Sequence, residues 1–387
     1  MKLKENSKSW QEGRAKSVTF IVTKDCQLAC KYCYLVGKNE KERMSFEMAK
    51  KIVDYLLDNQ DLFNESSVIW DFIGGEPFME IDLIDQICDY IKIQSFEKSH
   101  PWFNSYRFSF STNGLNYHEE KVQNYIKKNH NHISIGITID GTQTKHDLNR
   151  VYKNGKGSYE DVVRNIPLWL DQFPYGGTKV TIASPDIPYI CESVLHLYNL
   201  GIKEVNINCI FEDVWEEGDD LLFEEQLVQL ADVIIEKEYY KDYSCSFFTE
   251  WMGKPMDRVR DNQNWCGSGK MLAIDAEGNF YPCVRFAQYS LRDKKAWMVG
   301  NVHDGINQNL LRPFHTLDRC SQSTQECIEC EVARGCAWCQ GENYDAAQTN
   351  TIYERSTAIC KMHKARVRAN NYYWNKLYRK LENTEKE

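Results

Sequence analysis

The chain has no excess of basic residues, no secretion-type N-terminus and no long apolar run. It holds 56 acidic and 47 basic side chains, for a net charge of −9, which argues against a nucleic-acid-binding protein because such proteins usually present a basic surface. The first residues, MKLKENSKSWQEGRAK, are charged and lack the apolar core of a signal peptide. No apolar stretch approaches the length of a membrane span. We therefore expect a cytoplasmic protein that binds neither nucleic acid nor membrane.

Cysteine, by contrast, is abundant, with 15 residues that fall mostly in short clusters. Without a secretion signal, such usage predicts metal or redox chemistry in a reducing compartment and not a disulfide scaffold. The most informative cluster is Cys26, Cys30 and Cys33 in TKDCQLACKYCYL, with C-x3-C-x2-C spacing and no fourth cysteine nearby. Iron–sulfur clusters normally take four thiolates, so three leave an open coordination position, which is typical of a catalytic site. The alternatives are a zinc knuckle with a distant fourth ligand, or three unrelated thiols.

Apolar runs and amphipathic stretches alternate along the first 240 residues. The predicted strands cover residues 18–22, 68–73, 106–110, 133–139, 179–183 and 204–211. The predicted helices cover residues 45–59, 81–93, 119–128, 159–170, 190–200 and 221–238, with Ser45 as the N-cap of the first. Six βα units in a row predict parallel strands covered by helices. Periodicity alone does not separate a barrel from an open doubly wound sheet.

Polar and small residues follow the predicted strands. Cys26 follows the first strand, Gly74 ends the second, Asn113 the third and Asp140 the fourth, while Ser184 follows the fifth. In barrels of this type, the catalytic groups collect at the carboxyl ends of the strands. We therefore expect these residues to meet at one edge.

The C-x3-C-x2-C loop together with the Gly-Gly-Glu-Pro run at residues 74–77 resembles the radical S-adenosylmethionine (SAM) enzymes. This resemblance implies an α/β fold with a partial (β/α)6 TIM-like barrel. It also implies that Cys26, Cys30 and Cys33 hold a [4Fe–4S] cluster whose fourth iron binds SAM. In the family, reduction of that cluster cleaves SAM to a 5'-deoxyadenosyl radical, which abstracts a hydrogen from the substrate.

The same resemblance assigns SAM contacts. In the family an aromatic residue packs the adenine, the glycine-rich run receives the amino group, and a D-G-x4-H-D-x2-R segment recurs, as in DGTQTKHDLNR here. The residues that match by position are Tyr32, Gly74, Gly75, Glu76, Asn113, Asp140 and Arg150. Arg150 could pair with the SAM carboxylate, or it could form a structural salt bridge with Asp147.

A second group of cysteines resembles the SPASM extension of radical SAM proteins, which holds two auxiliary [4Fe–4S] clusters. Its spacing is C-x11-G-x4-C followed by C-x2-C-x5-C-x2-C, although the last gap in the family is usually three residues. The resemblance implies one cluster on Cys327, Cys330, Cys336 and Cys360, and a second on Cys266, Cys283 and Cys339. Cys320 or a substrate thiolate would complete the second cluster. A zinc ribbon is the alternative, but its pairs are usually separated by more than about ten residues.

The resemblance also divides the chain and names a substrate class. The implied parts are an N-terminal segment (1–16), the radical SAM partial barrel (17–240), a bridge (241–265), the SPASM domain (266–362) and a C-terminal helix and tail (363–387). SPASM-bearing enzymes mostly modify ribosomally made peptides, and this chain most resembles those acting on precursors with Cys-x-x-x repeats. That implies hydrogen abstraction followed by attack of a substrate thiolate, held at the open auxiliary cluster, to give a sulfur-to-carbon thioether. The expected partners are a cysteine-rich precursor peptide and a flavodoxin- or ferredoxin-type reductant.

Other functions stay open at this point. Carbon–carbon crosslinking and epimerisation fit the same motifs. Anaerobic sulfatase maturases, which form formylglycine, carry an aspartate after the cysteine that matches Cys283, where this chain has Val284. A non-catalytic electron carrier needs no SAM pocket. Few residues precede the first strand, so we expect the leader to bind the open side of the barrel, residues 211–220 or 241–265, or a separate partner.

Overall fold

The computed structural model describes residues 15–384 apart from Asn39 and Trp265. Most of the predicted N-terminal segment, the last residue of the predicted bridge and the last three residues of the predicted tail therefore lie outside the described residues. The described residues form two compact units, the first of residues 15–27, 34–135 and 267–316, the second of residues 28–33, 136–264, 266 and 317–384. Among them, no helix is long and apolar enough to cross a membrane.

The predicted alternation of strands and helices is confirmed. The strands are β1 (Lys16–Thr23), β2 (Val68–Gly74), β3 (Tyr106–Thr112), β4 (Ile133–Ile137), β5 (Gly177–Ile182) and β6 (Glu204–Cys209). The helices are α1 (Phe46–Asp58), α2 (Ile81–Glu97), α3 (Glu120–Asn129), α4 (Gln143–Asn149), α5 (Tyr159–Val163), α6 (Ile166–Gln172), α7 (Ile190–Asn199) and α8 (Asp219–Glu236).

One helix prediction was wrong. The single helix expected over residues 159–170 is two helices, α5 and α6, and Pro167 lies in the first turn of α6. Proline lacks an amide N–H and disfavours helical backbone in the residue before it, so the helix is interrupted ahead of Pro167. Helix α4, which was not predicted, lies within the DGTQTKHDLNR segment.

The first unit contains a sheet with β1 near its centre. The remaining strands of the described chain are β7 (Ser244–Cys245), which belongs to the second unit, and β8 (Leu272–Ile274), β9 (Asn279–Tyr281), β10 (Gly300–Asn301) and β11 (Gly305–Ile306), which belong to the first. The sheet order is β11-β10-β9-β8-β1-β2-β3-β4, and β1 pairs in parallel with both β2 and β8. The apolar residues of β1, including Val18, Phe20 and Val22, are fully buried. A mostly apolar strand buried on both faces, interrupted between Val18 and Val22 only by Thr19, is typical of a parallel sheet with both faces covered.

A row of aromatic rings crosses the three parallel strands. Phe20, Phe72 and Phe110 are neighbours in the strand register, and their ring centroids lie 5.6 and 5.4 Å apart in stacked pairs. Such cross-strand aromatic pairs stabilise a sheet. Helix α1 begins at its predicted N-cap, where the Ser45 hydroxyl accepts a hydrogen bond from Met48 N–H at 3.1 Å.

The second unit contains the parallel three-stranded sheet β5-β6-β7. A threonine side chain links the end of β4 to β5. The Thr178 hydroxyl donates to the Ile137 carbonyl at 2.8 Å and accepts from Ile139 N–H at 3.1 Å. Four helices complete the described chain, α9 (Gln308–Thr316) in the first unit and α10 (Gln325–Ile328), α11 (Gln340–Asp345) and α12 (Cys360–Thr384) in the second.

Helix α12 runs parallel to α8 along a row of polar contacts. Arg368 donates to Glu224 at 2.5 Å, and Lys376 donates to Asp232 at 2.7 Å. The residue numbers rise together in the two helices, so both run in the same direction. The predicted C-terminal helix is thus part of the second unit, while the predicted domain boundaries remain predictions.

Candidate active site

The glycines of the Gly-Gly-Glu-Pro run lie against the backbone that leads into the first cysteine loop. Gly75 N–H donates to the Thr23 carbonyl at 3.0 Å, and Glu76 N–H donates to the Asp25 carbonyl at 2.9 Å. A Cβ atom on Gly75 would lie 2.0 Å from the Asp25 oxygen, and one on Gly74 would lie 2.1 Å from the Thr23 oxygen. No residue with a side chain fits at either position, because the two backbones are in direct contact.

Glu76 is held in a fixed orientation at the end of β2. Its side chain is buried, with 1% exposure. One carboxylate oxygen accepts from Phe78 N–H at 3.0 Å and from the Thr112 hydroxyl at 2.6 Å, and the other accepts from Asn113 N–H at 2.7 Å. Hydrogen bonds to an ionised acceptor are strong, so these three donors define where the negative charge lies.

Asn113 joins the end of β3 to the first cysteine loop. Its amide Nδ2 donates to Gln27 Oε1 at 3.1 Å and lies 3.9 Å from Cys26 Sγ. Its Oδ1 accepts from Leu115 N–H at 2.9 Å. In the first unit, three predicted site residues, Cys26, Glu76 and Asn113, are therefore brought together. Gln27 was not predicted as a site residue, because it stands next to a motif cysteine but belongs to no motif.

Three further predicted site residues, Tyr32, Asp140 and Arg150, meet in the second unit. The Tyr32 hydroxyl donates to Asp140 Oδ2 at 2.5 Å and accepts from Arg150 Nη1 at 3.0 Å. Burial raises the pKa of Tyr32 well above its ordinary value, so the phenol stays protonated. Burial opposes the charge of Arg150, but Cys30, Asp140 and the hydrogen bond to the neutral Tyr32 hydroxyl raise its pKa. The guanidinium therefore remains a buried cation beside the second motif cysteine.

Asp140 also belongs to a buried cluster with a lysine that the sequence analysis did not select. Lys145 Nζ lies 3.9 Å from Asp140 and 3.6 Å from Asp186, and all three side chains have 0% exposure. Lys145 also donates to the Thr181 carbonyl at 2.7 Å. Burial opposes ionisation of Asp140, yet Lys145 and Arg150 lower its pKa below the ordinary value. The same lysine faces Asp186, whose pKa burial raises.

The histidine of the DGTQTKHDLNR segment has a structural role. His146 Nδ1 accepts from Asp140 N–H at 3.2 Å, so the proton of the neutral ring is on Nε2, which lies 3.0 Å from the Ser158 hydroxyl. Burial and the charge of Arg150 lower the pKa of His146 to about 3. The alternative salt bridge between Arg150 and Asp147 is not formed in the described chain, where Asp147 accepts from the Tyr159 backbone N–H at 2.9 Å.

Four of the C-terminal cysteines line one cavity in the second unit, namely Cys327, Cys330, Cys336 and Cys360. Burial raises the pKa of Cys360, and the charges of the other three thiols raise it further. Three cationic side chains, Arg319, Arg355 and Lys364, line the same cavity. Four sulfur donors balanced by cations suit an anionic iron–sulfur cluster.

Within the described chain, no set of three or more His, Cys, Asp or Glu side chains is arranged to hold a single metal ion. An iron–sulfur cluster binds each cysteine through a different iron, so its ligands are spaced more widely.

The other auxiliary candidates lie outside that cavity. Asn262, four residues before Cys266, accepts a hydrogen bond from Cys320 N–H at 2.9 Å. Asn264 donates to the side chain of Gln340 at 3.4 Å, and Gln340 directly follows the last cysteine of the C-x2-C-x5-C-x2-C motif. The backbone before Cys266 is thus tied to the regions of both Cys320 and Cys339.

In the first unit, Cys283 follows β9 and is 7% exposed. The Ser268 hydroxyl donates to its sulfur at 3.7 Å. Val284 begins a 3-10 turn over Val284–Phe286, at the position where sulfatase maturases carry aspartate. Membership of the second auxiliary set remains a prediction.

Residues 20–187 match the Radical SAM superfamily. The chain is 26% identical over 346 residues to the serine-type anaerobic sulfatase-maturating enzyme of Bacteroides thetaiotaomicron, covering 80% of this chain and 78% of that protein. It is 25% identical to the antilisterial bacteriocin subtilosin biosynthesis protein AlbA of Bacillus subtilis, covering 76% of this chain and 59% of that protein. The solved structure of native anSMEcpe with bound AdoMet superposes with a TM-score of 0.70 at 17% identity, covering 95% of this chain and 99% of that one.

These likenesses confirm the predicted fold class, an α/β partial barrel followed by a cysteine-rich domain and a terminal helix. The match over residues 20–187 also confirms the predicted radical SAM domain, whose family implies a [4Fe–4S] cluster and SAM, and the relatives confirm that the chain is an enzyme. The auxiliary clusters and the individual SAM contacts remain predictions.

Proposed function

Because the chain carries a radical SAM domain, we propose that it matures a ribosomally made, cysteine-rich precursor peptide by forming a sulfur-to-carbon thioether. The observation that carries this proposal is the cavity that Cys327, Cys330, Cys336 and Cys360 line, with further cysteines left over for a second, incomplete set. An incomplete set leaves room for a substrate thiol. The likeness to a bacteriocin biosynthesis protein supports a peptide substrate.

The donor set at the end of β2 and β3 fits the amino group of SAM. Glu76 offers a buried carboxylate whose position Thr112 and Asn113 fix. A carboxylate in this setting pairs with an ammonium through charge-assisted hydrogen bonds. We therefore assign the amino group to Glu76, with the close backbone contact at Gly75 holding that carboxylate beside the cysteine loop.

The second unit offers a cation that fits a carboxylate. Arg150 is 7% exposed, and its Nε–H has no hydrogen-bond partner among the described residues. A buried unsatisfied donor is costly, and a bound carboxylate would satisfy it. When bound, the reduced cluster and SAM supply a 5'-deoxyadenosyl radical that takes a hydrogen atom from substrate carbon. Tyr32 and Asp140 keep the guanidinium in place by hydrogen bond and charge.

The four-cysteine assignment has its own test. Changing Cys336→Ser should lower the iron content of anaerobically purified protein by about four atoms per chain, the content of one [4Fe–4S] cluster. Cys245→Ser is the matched control, because Cys245 is buried in β7 and does not line the cavity. Equal iron in the two variants would exclude Cys336 as a ligand.

Thioether formation has a fixed atom balance. One S–H bond and one C–H bond are replaced by one S–C bond, so each linkage removes two hydrogens from the peptide. One hydrogen leaves as an atom to the deoxyadenosyl radical, and the thiol loses a proton. The remaining electron passes to the protein's redox centres and the external reductant couple.

The test is anaerobic coexpression with a cysteine-rich precursor peptide encoded beside the gene, followed by intact mass and thiol alkylation. Loss of two hydrogens per linkage, with thiols that no longer alkylate, is expected. The same loss with alkylatable thiols would indicate a carbon–carbon crosslink, and deuterium uptake without mass loss would indicate epimerisation. A variant with Cys26, Cys30 and Cys33 all changed to alanine is the control and should leave the peptide unmodified.

Sulfatase maturation is the second candidate, since one relative carries that activity in its name. Its product is an aldehyde, which a hydrazide probe detects on a sulfatase-derived peptide. Val284 opposes this candidate because it offers no carboxylate to act as a base. Aldehyde formation by the wild-type enzyme would overturn the thioether proposal in its favour.

A further inference from the structure

One arginine of the four-cysteine cavity contacts a cysteine sulfur directly. Arg355 Nη2 lies 2.8 Å from Cys336 Sγ, and the arginine is 4% exposed. Its backbone N–H donates to the Gln322 carbonyl at 2.9 Å, which fixes the start of the side chain. Its Nε–H is buried and has no hydrogen-bond partner among the described residues. The side chain therefore has donor capacity that the described protein atoms do not use.

An aromatic ring holds the guanidinium from the other side. The Arg355 guanidinium carbon lies 4.7 Å from the centre of the Trp338 ring, a cation–π distance. Arg319 lies 5.8 Å from the same ring and donates to the backbone carbonyls of Ala333 and Cys336. The two arginines therefore differ in their hydrogen-bond acceptors. Arg319 donates to backbone carbonyl oxygens, and Arg355 donates to a cysteine sulfur.

We propose that Arg355 is a positioning residue that raises the reduction potential of the cluster held by Cys327, Cys330, Cys336 and Cys360, through its N–H···S bond to Cys336. The inference rests on the proposed assignment of these cysteines to one cluster. It does not depend on which product the enzyme makes.

The sign follows from charge. Reduction adds one negative charge to the cluster and its sulfur ligands. A donor N–H and a positive charge next to one of those sulfurs stabilise the reduced form more than the oxidised form, and hydrogen bonds to the sulfurs are among the factors that set such potentials. Burial strengthens the effect, because little water screens the guanidinium.

The experiment is an anaerobic redox titration followed by electron paramagnetic resonance. The full chain carries Cys26, Cys30 and Cys33 changed to alanine so that the SAM cluster does not contribute. Arg355→Met removes the charge and the donor, Arg355→Lys keeps the charge, and Lys364→Met removes a charge from the same cavity without a described contact to sulfur. Iron content is measured on every variant.

With Arg355→Met, the equilibrium constant for reduction should fall at least tenfold, about 59 mV for a one-electron couple. Arg355→Lys should show a smaller shift in potential than Arg355→Met. Lys364→Met should shift the potential by less than half as much as Arg355→Met does. An unchanged potential in Arg355→Met, or an equal shift in Lys364→Met, would overturn the proposal. So would loss of the cluster from both Arg355 variants, which would mean that the arginine only allows assembly. Wild-type protein without about four irons at this site would instead refute the four-cysteine assignment.

Discussion

The substitution Lys145→Met should be among the most destabilising changes in the second unit. Lys145 lies between Asp140 and Asp186 at 3.9 and 3.6 Å, and none of the three side chains is exposed. Methionine has a similar volume but leaves the buried Asp186 carboxylate without its cation, and it leaves Asp140 with Arg150 alone. Breaking a buried ion pair by removing one partner costs about 3–5 kcal/mol of unfolding free energy. The lost hydrogen bond to the Thr181 carbonyl adds to that cost.

The matched control is Lys121→Met in the first unit. Lys121 lies 2.6 Å from Asp82, with side-chain exposures of 58% and 66%. The Lys121–Asp82 contact is shorter than either contact of Lys145, yet a solvent-exposed pair contributes little to the free energy of unfolding. Comparing Lys145→Met with Lys121→Met therefore separates the effect of burial on stability from the effect of the distance between the charges. Adding Asp186→Asn to Lys145→Met should recover part of the lost stability, because the uncompensated charge of Asp186 is removed.

Urea unfolding of anaerobically purified protein measures these changes, and its pH dependence tests the cause. The pKa of Asp140 is lowered in the folded protein, so its stabilising contribution is present above the ordinary carboxyl pKa and is lost as pH falls through the folded value. In Lys145→Met the Asp186 carboxylate has lost its only cation among the described residues, so protonation of that carboxylate relieves the penalty instead. The gap between wild type and variant should therefore narrow on acidification. The reasoning would be refuted if the difference in unfolding free energy between wild type and Lys145→Met widened on acidification. It would also be refuted if Lys145→Met were no more destabilising than Lys121→Met.

Two further changes have defined outcomes. Gly75→Ala places a Cβ 2.0 Å from the Asp25 oxygen, so we expect about 3 kcal/mol of destabilisation and weaker SAM binding in equilibrium dialysis. Gly155→Ala introduces backbone strain, since Gly155 has φ +84°, but its Cβ meets no atom within 4 Å; this variant should therefore lose stability yet bind SAM as wild type does, and equal binding by both variants would contradict the contact argument. His146 has a pKa of about 3 in the fold because of burial and Arg150, so stability should fall by about 1.4 kcal/mol per pH unit below about pH 6.5. In urea titrations from pH 7 to pH 5, the slope of His146→Gln should be shallower than the wild-type slope by this amount, because His363, with a pKa of about 4, still contributes; an unchanged slope would exclude a contribution from His146.

The sequence predicted those features that depend on local pattern. The apolar run over residues 18–22 predicted β1, which the structure extends to Lys16–Thr23. Ser45 predicted the start of α1 because a side-chain cap needs only the next three residues. The fold class required the family resemblance, since strand periodicity is the same in a barrel and in an open sheet.

Contacts between distant segments could not be predicted in this way. Lys145 stands inside a recognised motif, yet its role depends on Asp186, which lies on a different segment of the chain. Arg355 follows Cys336 by 19 residues and belongs to no cysteine spacing. The glycines at 74 and 75 were selected by resemblance, but only the structure gives the cause, which is direct contact with the backbone before the cysteine loop.

The parallel pairing of β1 with β8 has a consequence for synthesis of the chain. Val18 pairs with Leu272, so one edge of the first strand stays open on the ribosome until most of the protein has been made. Until then its backbone N–H and C=O groups are available to another strand, which favours aggregation. Contacts of such long sequence separation also slow folding. The yield of folded enzyme should therefore depend on the rate of translation and on chaperones. Fragments that end before residue 272 should aggregate, because they lack the strand that pairs with this edge of β1.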